Sequence, residues 1–149
     1  MKYDTLAVEI TKAVGAKLQT YLVANVDIPV FFEESQPEDV EQDNIEIRFD
    51  GLDIDEIANT QYLIEVSVDL LLTFKMRESI FDRLQILSKM AEALREDFPI
   101  YLDGALVGCL STAIPFGGSE KIKTINYGKV NKDRRLLHSA VSTTLHLSI

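Results

Sequence analysis

Two histidines near the carboxyl end of the chain are the residues best suited to metal binding or general base catalysis. His138 and His146 share one side of a segment that alternates apolar and polar residues. Eight residues of strand at about 3.3 Å each separate them too widely to chelate one ion. We therefore expect exposed or edge histidines rather than a metal centre.

A second candidate is the oxygen-rich segment DGLDIDE, which contains Asp50, Asp53, Asp55 and Glu56. Carboxylate oxygens are ligands that calcium prefers. The segment lacks the glycine at position six and the terminal glutamate of an EF-hand loop. Its spacing favours an acidic connection between strands, and we predict neither a metal site nor a cofactor.

The remaining candidates for catalysis are nucleophiles and a glycine-rich loop. Ser111 and Ser119 do not lie in a G-x-S-x-G elbow, and PFGGSEK lacks the residue order of a phosphate-binding loop. Cys109, the single cysteine, excludes an intrachain disulfide, and its apolar neighbours ALVGCL predict a buried, inert thiol. These patterns predict a protein that is not an enzyme.

Composition limits the possible partners. The chain has 149 residues, 46% hydrophobic and 26% charged, which is typical of one folded domain spanning 1–149. Its formal net charge of −9 disfavours binding to free DNA or to an anionic membrane. The amino terminus MKYDTLAVE resembles no secretory signal, and no apolar run approaches a membrane span. We expect the chain to be made in a reducing cytoplasm.

The first half of the chain predicts one helix and three strands. Residues 4–21 repeat apolar side chains at three- and four-residue steps, with Asp4 as the amino-terminal cap. DIPVFFEES and NIEIRFD predict two strands, joined through the polar segment EESQPEDVEQD as an exposed hairpin loop. DGLDIDEIANT then connects to QYLIEVSVDLLLTFK, a long strand over 61–75.

The second half predicts a helix followed by strands. Ser79 and Asp82 form a capping box for the helix SIFDRLQILSKMAEALRED, which Pro99 ends. Its predicted apolar face contains Ile80, Leu84, Leu87, Ala91 and Leu94. One or two short strands surround an Asp103-Gly104 turn, Gly117-Gly118 and Asn131 indicate further turns, and RRLLHSAVSTTLHLSI predicts a closing strand.

This element order predicts an α+β fold, with an antiparallel or mixed β-sheet and two main helices packed on one face. In the long strand, even-numbered residues from Tyr62 to Phe74 are apolar and are expected beneath the capped helix. Glu65, Ser67 and Asp69 have the opposite parity. We expect these three to face a neighbouring subunit or a lumen.

Charge is divided unevenly along the chain. From Asp27 to Asp69 the only basic residue is Arg48. The candidate acidic interface residues are Glu33, Glu34, Glu38, Asp39, Glu41 and Asp43. The candidate basic ones are Lys121, Lys123, Lys129, Lys132, Arg134 and Arg135. Such runs are either solvated loops or complementary surfaces, and complementary surfaces on different copies join subunits head to tail.

The size and element order resemble the tail terminator and tail completion proteins of long-tailed bacteriophages. The resemblance lies in an initial helix leading to IPVFFEE, a hairpin ending in QYLIEVSVDLLLTFK, the helix SIFDRLQILSKMAEALRED and the strand RRLLHSAVSTTLHLSI. It implies a virion protein, assembled in the host cytoplasm, that forms a hexameric ring and ends the polymerisation of the tail tube. Its partners would be itself, the tail tube protein and a head completion or connector protein.

The resemblance also implies that DNA only passes through the ring, and a negative lumen would repel its phosphates. A different hypothesis fits the size and acidity equally well, namely a dimeric cytoplasmic secretion chaperone. The basic carboxyl-terminal segment and the polar-faced strands favour ring contacts over a groove for an unfolded client. An enzyme that uses Asp53, Asp55 or His138 would require a pocket that the sequence does not reveal.

Overall fold

The computed structural model describes residues 3–33, 43–58, 61–75, 81–129 and 136–149. The two helices are α1 (Tyr3–Asn25) and α2 (Phe81–Leu94), and the first three strands are β1 (Val30–Phe32), β2 (Asn44–Ala58) and β3 (Gln61–Lys75). The others are β4 (Phe98–Leu102), β5 (Ala105–Leu110), β6 (Lys123–Lys129) and β7 (Leu136–Ser148). The predicted α+β fold is confirmed.

One mixed sheet organises the molecule, with the strand order β1-β2-β3-β7-β6. β1 runs parallel to β2, and the other neighbours are antiparallel. β3 lies at the centre and pairs with β2 on one side and β7 on the other over almost its whole length. β4 and β5 form a separate hairpin around the predicted Asp103-Gly104 turn, where both residues have positive φ, as a tight hairpin requires.

The hydrophobic core covers one face of this sheet. Its central row is the even-numbered side of β3, with Ile64, Val66, Val68, Leu70, Leu72 and Phe74 each at most 2% exposed. α1 contributes Leu6, Ile10, Val14, Leu18 and Leu22, and α2 contributes Leu87, Met90, Ala93 and Leu94. Phe98, Ile100 and Leu110 of the small hairpin complete the cluster. The long strand is therefore covered by both helices and by the hairpin, not by α2 alone.

Polar contacts fix the two helices to one another and to the hairpin. The Tyr21 hydroxyl donates to Glu92 Oε2 at 3.0 Å, and Lys89 Nζ donates to the Asn25 carbonyl at 2.7 Å. Lys17 Nζ lies 5.5 Å from the centre of the Phe98 ring and donates to the Asp97 carbonyl. These links hold α1 against the carboxyl-terminal half of α2 and the start of β4.

Several sequence predictions in the first half are wrong. α1 begins at Tyr3, so Asp4 lies inside the helix and is not its cap. β1 and β2 pair in parallel, with Val30, Phe31 and Phe32 opposite Ile45, Glu46 and Ile47, and two parallel strands cannot be joined by a hairpin loop. β2 continues to Ala58 through an irregularity between Phe49 and Gly51, so DGLDIDE belongs to a strand and not to a connection.

Other predictions in the second half also need correction. Ser79 and Ile80 lie outside the described residues, and Leu84 is 45% exposed where burial was predicted. α2 ends at Leu94, four residues before the strand that contains Pro99. β6 was not predicted, because polar residues dominate KTINYGK. Cys109 is exposed, because its strand is an outer element whose Leu110 points into the core instead.

The central strand provides a direct test of this architecture. Val68→Asp would place a carboxylate in the core, and we expect the free energy of unfolding to fall by about 4 kcal/mol or more, enough to leave the chain largely unfolded. Val8→Asp makes the same chemical change at a valine that is 50% exposed on α1, and should change the value by less than about 1 kcal/mol. Urea unfolding followed by far-ultraviolet circular dichroism would measure both. Equal effects would contradict the assigned burial.

Candidate functional site: a polar sheet face and two charged edges

The side of the sheet away from the helices is lined by polar and charged side chains, and we call it the polar face. It consists of the odd-numbered residues of β3 and the residues beside them on β2, β7 and β6. One row across four strands contains Arg48, Asp69, Ser142 and Lys123. Glu65, Ser67 and Asp69, predicted to share this side, all lie on it and are half-buried.

A buried carboxylate on the polar face is neutralised within its own strand. Glu46 is 2% exposed, and Arg48 Nη2 donates to its Oε2 at 2.9 Å. The hydrogen bond to Glu46 is the main cause that raises the pKa of Arg48. A charge this deeply buried requires such a partner, so the pair is an integral part of the face.

Two carboxyl groups meet beside this pair. Burial is the main cause that raises the pKa of Asp69 to about 6, and a side-chain hydrogen bond with Asp50 raises it further. The hydroxyl of Ser142 and the positive charge of Arg48 oppose this shift. Asp69 therefore loses its proton near pH 6, well above the usual range of an aspartate.

The two histidines of β7 occupy different parts of the polar face. Burial, followed by the positive charge of Arg48, lowers the pKa of His138, which lines a cleft of about 330 Å³ with Arg48, Asp69 and Leu71. Ser142 lies four residues away, about 13 Å along an extended strand, beyond the range of a nucleophile–base hydrogen bond. This cleft does not bring together a nucleophile and its base.

His146 is 6% exposed, so its prediction as an exposed or edge histidine is wrong. Its Nε2 lies 3.0 Å from Glu120 Oε1, and Glu65 Oε1 is 3.8 Å from its Nδ1. Its backbone also exchanges hydrogen bonds with Ser111. His146 is buried because residues 111–120 cover the end of β7. The alternation within β7 does not indicate this long-range contact. His146 anchors that segment to the sheet.

The acidic candidate residues begin at one edge of the sheet. Glu33 directly follows edge strand β1 and is exposed. Asp43 is 8% exposed, and its Oδ1 accepts a hydrogen bond from the Lys75 amide at 2.7 Å. Its carboxylate therefore binds the end of β3 within the same chain and is not free to contact another copy. Glu34, Glu38, Asp39 and Glu41 lie outside the described residues.

The basic candidate residues lie at the other edge. Lys121 lies just before edge strand β6, and Lys123 is the first residue of that strand; both are exposed. Lys129 is the last residue of β6. Lys132, Arg134 and Arg135 lie outside the described residues. Because β1 and β6 are the two edges of one sheet, Glu33 and the described lysines are on opposite sides of the molecule.

Within the described ranges, no group of three or more histidine, cysteine, aspartate or glutamate residues is arranged to hold a metal ion. Asp53 and Asp55 lie on β2, opposite Glu65 and Leu63 of β3, rather than around a loop. No helix in the part of the chain that the structure describes is long and apolar enough to cross a bilayer.

The carboxyl pair predicts a specific dependence of stability on pH. Since the pKa of Asp69 is raised from 3.8 to about 6 on folding, its stabilising contribution is present below about pH 4 and is lost as pH rises through 6. We expect Asp69→Asn to behave like the original chain at pH 4.5 and to be more stable than it at pH 7.5. Urea midpoints at the two pH values would measure this difference.

Asp55→Asn, an exposed residue on the same side of β2, is the matched control and should show no gain in stability that grows with pH. A constant difference between Asp69→Asn and the original chain at both pH values would contradict the raised pKa of Asp69.

Comparisons with known proteins support the fold. No protein-family model matches the sequence, and no curated protein matches it. A chain from the virion of a native gene transfer agent particle matches with a TM-score of 0.62 and 14% identity, over 99% of this chain and 100% of that one. A second solved structure, whose description names no activity, has a TM-score of 0.59 and 8% identity over 98% of this chain and 95% of that one. At these identities the similarity shows a shared fold.

Proposed function

We propose that this chain is a structural protein of a phage-type virion, and that copies join head to tail in a closed ring that ends a tail tube. The ring also provides a surface for joining the tail to the head. In this role the chain has no catalytic site and uses no cofactor. Its partners are further copies of itself, the tail tube protein and a head connector protein.

One observation carries the proposal: opposite charges lie at opposite edges of the same sheet. Glu33 is exposed beside β1, and Lys121 and Lys123 are exposed at β6. A single copy cannot pair these residues across the width of the sheet. Between copies, the acidic edge of one meets the basic edge of the next, and repetition of this heterologous contact by rotation closes a ring.

The structural comparison supports a role in a virion. The matching chain belongs to a gene transfer agent particle, and the two chains correspond over nearly their full lengths. A shared fold does not by itself assign a function. Combined with the two charged edges, it favours an assembly protein over a dimeric secretion chaperone.

The polar face suits the lumen of such a ring. Six carboxylates lie on or beside it, namely Glu46, Asp50, Asp53, Asp55, Glu65 and Asp69. The basic residues on it, among those in register across β2, β3, β7 and β6, are Arg48, Lys75 and Lys123. A wall with this excess of negative charge repels phosphate and lets DNA pass without binding it.

The first test is negative-stain microscopy of the purified protein at high concentration, with mass determined by light scattering. Rings in solution, or caps on the ends of tubes formed by the tail tube protein of the same particle, are the expected result. Tubes grown with the protein should also be shorter than tubes grown without it. Compact dimers that do not bind tubes but retain one exported client would instead support a chaperone.

Charge reversal tests the contact between copies. Lys121→Glu with Lys123→Glu should preserve the circular dichroism spectrum and abolish rings, because like charges would meet across the contact. Adding Glu33→Lys to the same chain should restore part of the assembly, because the exposed residue beside β1 then offers a positive charge to the reversed β6 edge. Sedimentation velocity at low and high salt would measure the recovery.

The matched control reverses two exposed basic residues away from both charged edges, Lys75→Glu and Arg95→Glu. It makes the same change in net charge and should leave ring assembly intact. Normal rings formed by the Lys121 and Lys123 double variant would contradict contact through the charged edges.

A further inference from the structure

An apolar groove opens between α1 and the β1 edge of the sheet. We call it the α1–β1 groove, and its volume is about 600 Å³. Its apolar walls are Gly15, Ala16, Phe32, Ile47 and Phe49. A Cβ atom at Gly15 would lie 2.9 Å from Phe32 Cε1, so the missing side chain lets this ring lie directly against the helix. Ala16 remains exposed within the groove.

The opposite side of the molecule has an exposed aromatic side chain on a well-defined turn. Phe116 is 74% exposed, at the tip of the turn formed by residues 114–118. The Ile114 amide donates to the Gly118 carbonyl at 3.0 Å, and the Gly117 amide donates to the Ile114 carbonyl at 3.0 Å. The Glu120 amide donates to the Thr112 carbonyl at 2.7 Å and closes the base of the turn. The Phe116 ring is thus held outward in water without a core to enter.

The groove and the base of the turn lie at a similar height on the sheet. Phe49 in the groove pairs in register with Val68, which pairs with Thr143. Thr143 Oγ1 donates to the Lys121 carbonyl at 3.0 Å, directly after the segment that carries the turn. One row of the sheet therefore runs from the groove on one side to the base of the turn on the other.

We propose that Phe116 of one copy inserts into the α1–β1 groove of the next copy. This inference rests on the proposed ring and identifies the apolar contact at its subunit boundary. Charge complementarity supports a second copy as the occupant, because the groove presents Glu33 and Lys12 and the base of the turn presents Lys121 and Glu120. Each charge at the rim of the groove then has an opposite charge available beside the inserted ring. Burying the ring against Phe32 and Phe49 supplies an aromatic anchor inside a polar rim.

The matching heights also determine what kind of assembly results. A head-to-tail contact becomes a helical filament when each step advances along the axis, and a ring when it only rotates. Since Phe49 and Lys121, at the base of the turn, lie along one row of the sheet, we expect successive copies to advance little along the axis. The contact therefore favours closure.

Cross-linking tests the contact directly. In a Cys109→Ser background, which removes the exposed native thiol, one preparation carries Ala16→Cys and another carries Ser119→Cys. Ser119 is close to the turn and leaves Phe116 in place. With a flexible bis-maleimide, the mixture should form covalent dimers and each preparation alone should not. A chain that carries both cysteines should form a ladder that ends at the ring number.

Two substitutions test how much the contact between Phe116 and the α1–β1 groove contributes to ring assembly. Phe116→Asp and Ala16→Arg each change a residue exposed in the single chain and should leave its folding intact. Each is expected to raise the concentration needed for ring assembly by about 30-fold or more, as is typical for a central aromatic contact. Val23→Asp, at an exposed apolar residue elsewhere on α1, is the matched control and should assemble like the original chain. Circular dichroism and sedimentation velocity would follow folding and assembly.

The outcomes separate this inference from the proposed function. Normal rings from Phe116→Asp would overturn the insertion of Phe116 and leave the ring intact. Normal rings that no longer cap tubes would also overturn it, and would assign Phe116 to the tail tube protein instead. Covalent dimers from either single-cysteine preparation would show a two-fold contact and overturn the head-to-tail arrangement. Absence of rings and caps from the unmodified protein would refute the proposed function itself.

Discussion

The structure depends on the central strand β3, which has a strand on each edge and a packed apolar layer over one face. β3 pairs with β2 and β7 along both edges, and its even-numbered side chains lie beneath the helices. Every backbone polar group in its middle therefore has a strand partner, and each apolar side chain has a packed environment. Because the side-chain period of a strand is two, a shift of one residue would bring Glu65, Ser67 and Asp69 into the core. The apolar pattern thus fixes the register of the sheet.

The same register creates the polar face. Each strand that buries one parity of residues presents the other, so carboxylates from β2 and β3 are brought beside polar residues of β7. Their crowding has measurable chemical effects: Glu46 is buried against Arg48, and Asp69 is held close to Asp50 with a raised pKa. A sheet whose only requirement was solubility would not need a buried ion pair and a carboxyl pair on its solvent side. This concentration of charge suits a wall that faces DNA or another subunit.

The proposed ring follows from the edges of the sheet rather than from its centre. An open sheet has two edge strands, and here β1 and β6 carry opposite charge on the described residues beside them. The α1–β1 groove and Phe116 add an apolar pair to this charge pair on the same two sides. Charge selects and orients the partner, whereas buried aromatic surface contributes most of the affinity. In the proposed ring, the charge pair and the apolar pair form one head-to-tail contact between successive copies.

The sequence by itself determined the elements with strong periodicity. The alternation in residues 61–75 and 136–148 predicted β3 and the closing strand, the three- and four-residue steps predicted α1 and α2, and Asp103-Gly104 predicted a hairpin. These signals succeed because they reflect local geometry and burial on one side. They also supplied the division of charge and the membership of Glu65, Ser67 and Asp69 in one face.

Only the tertiary structure decided how these elements pair and which side chains the long-range contacts bury. The parallel pairing of β1 with β2 is a direction that the alternation within each strand does not specify, and the burial of His146 depends on a segment more than twenty residues away. The exposure of Cys109 and the positions of the charged segments at opposite sheet edges depend on strand order. Strand order is set by packing between distant residues, which hydrophobic period and local charge do not encode.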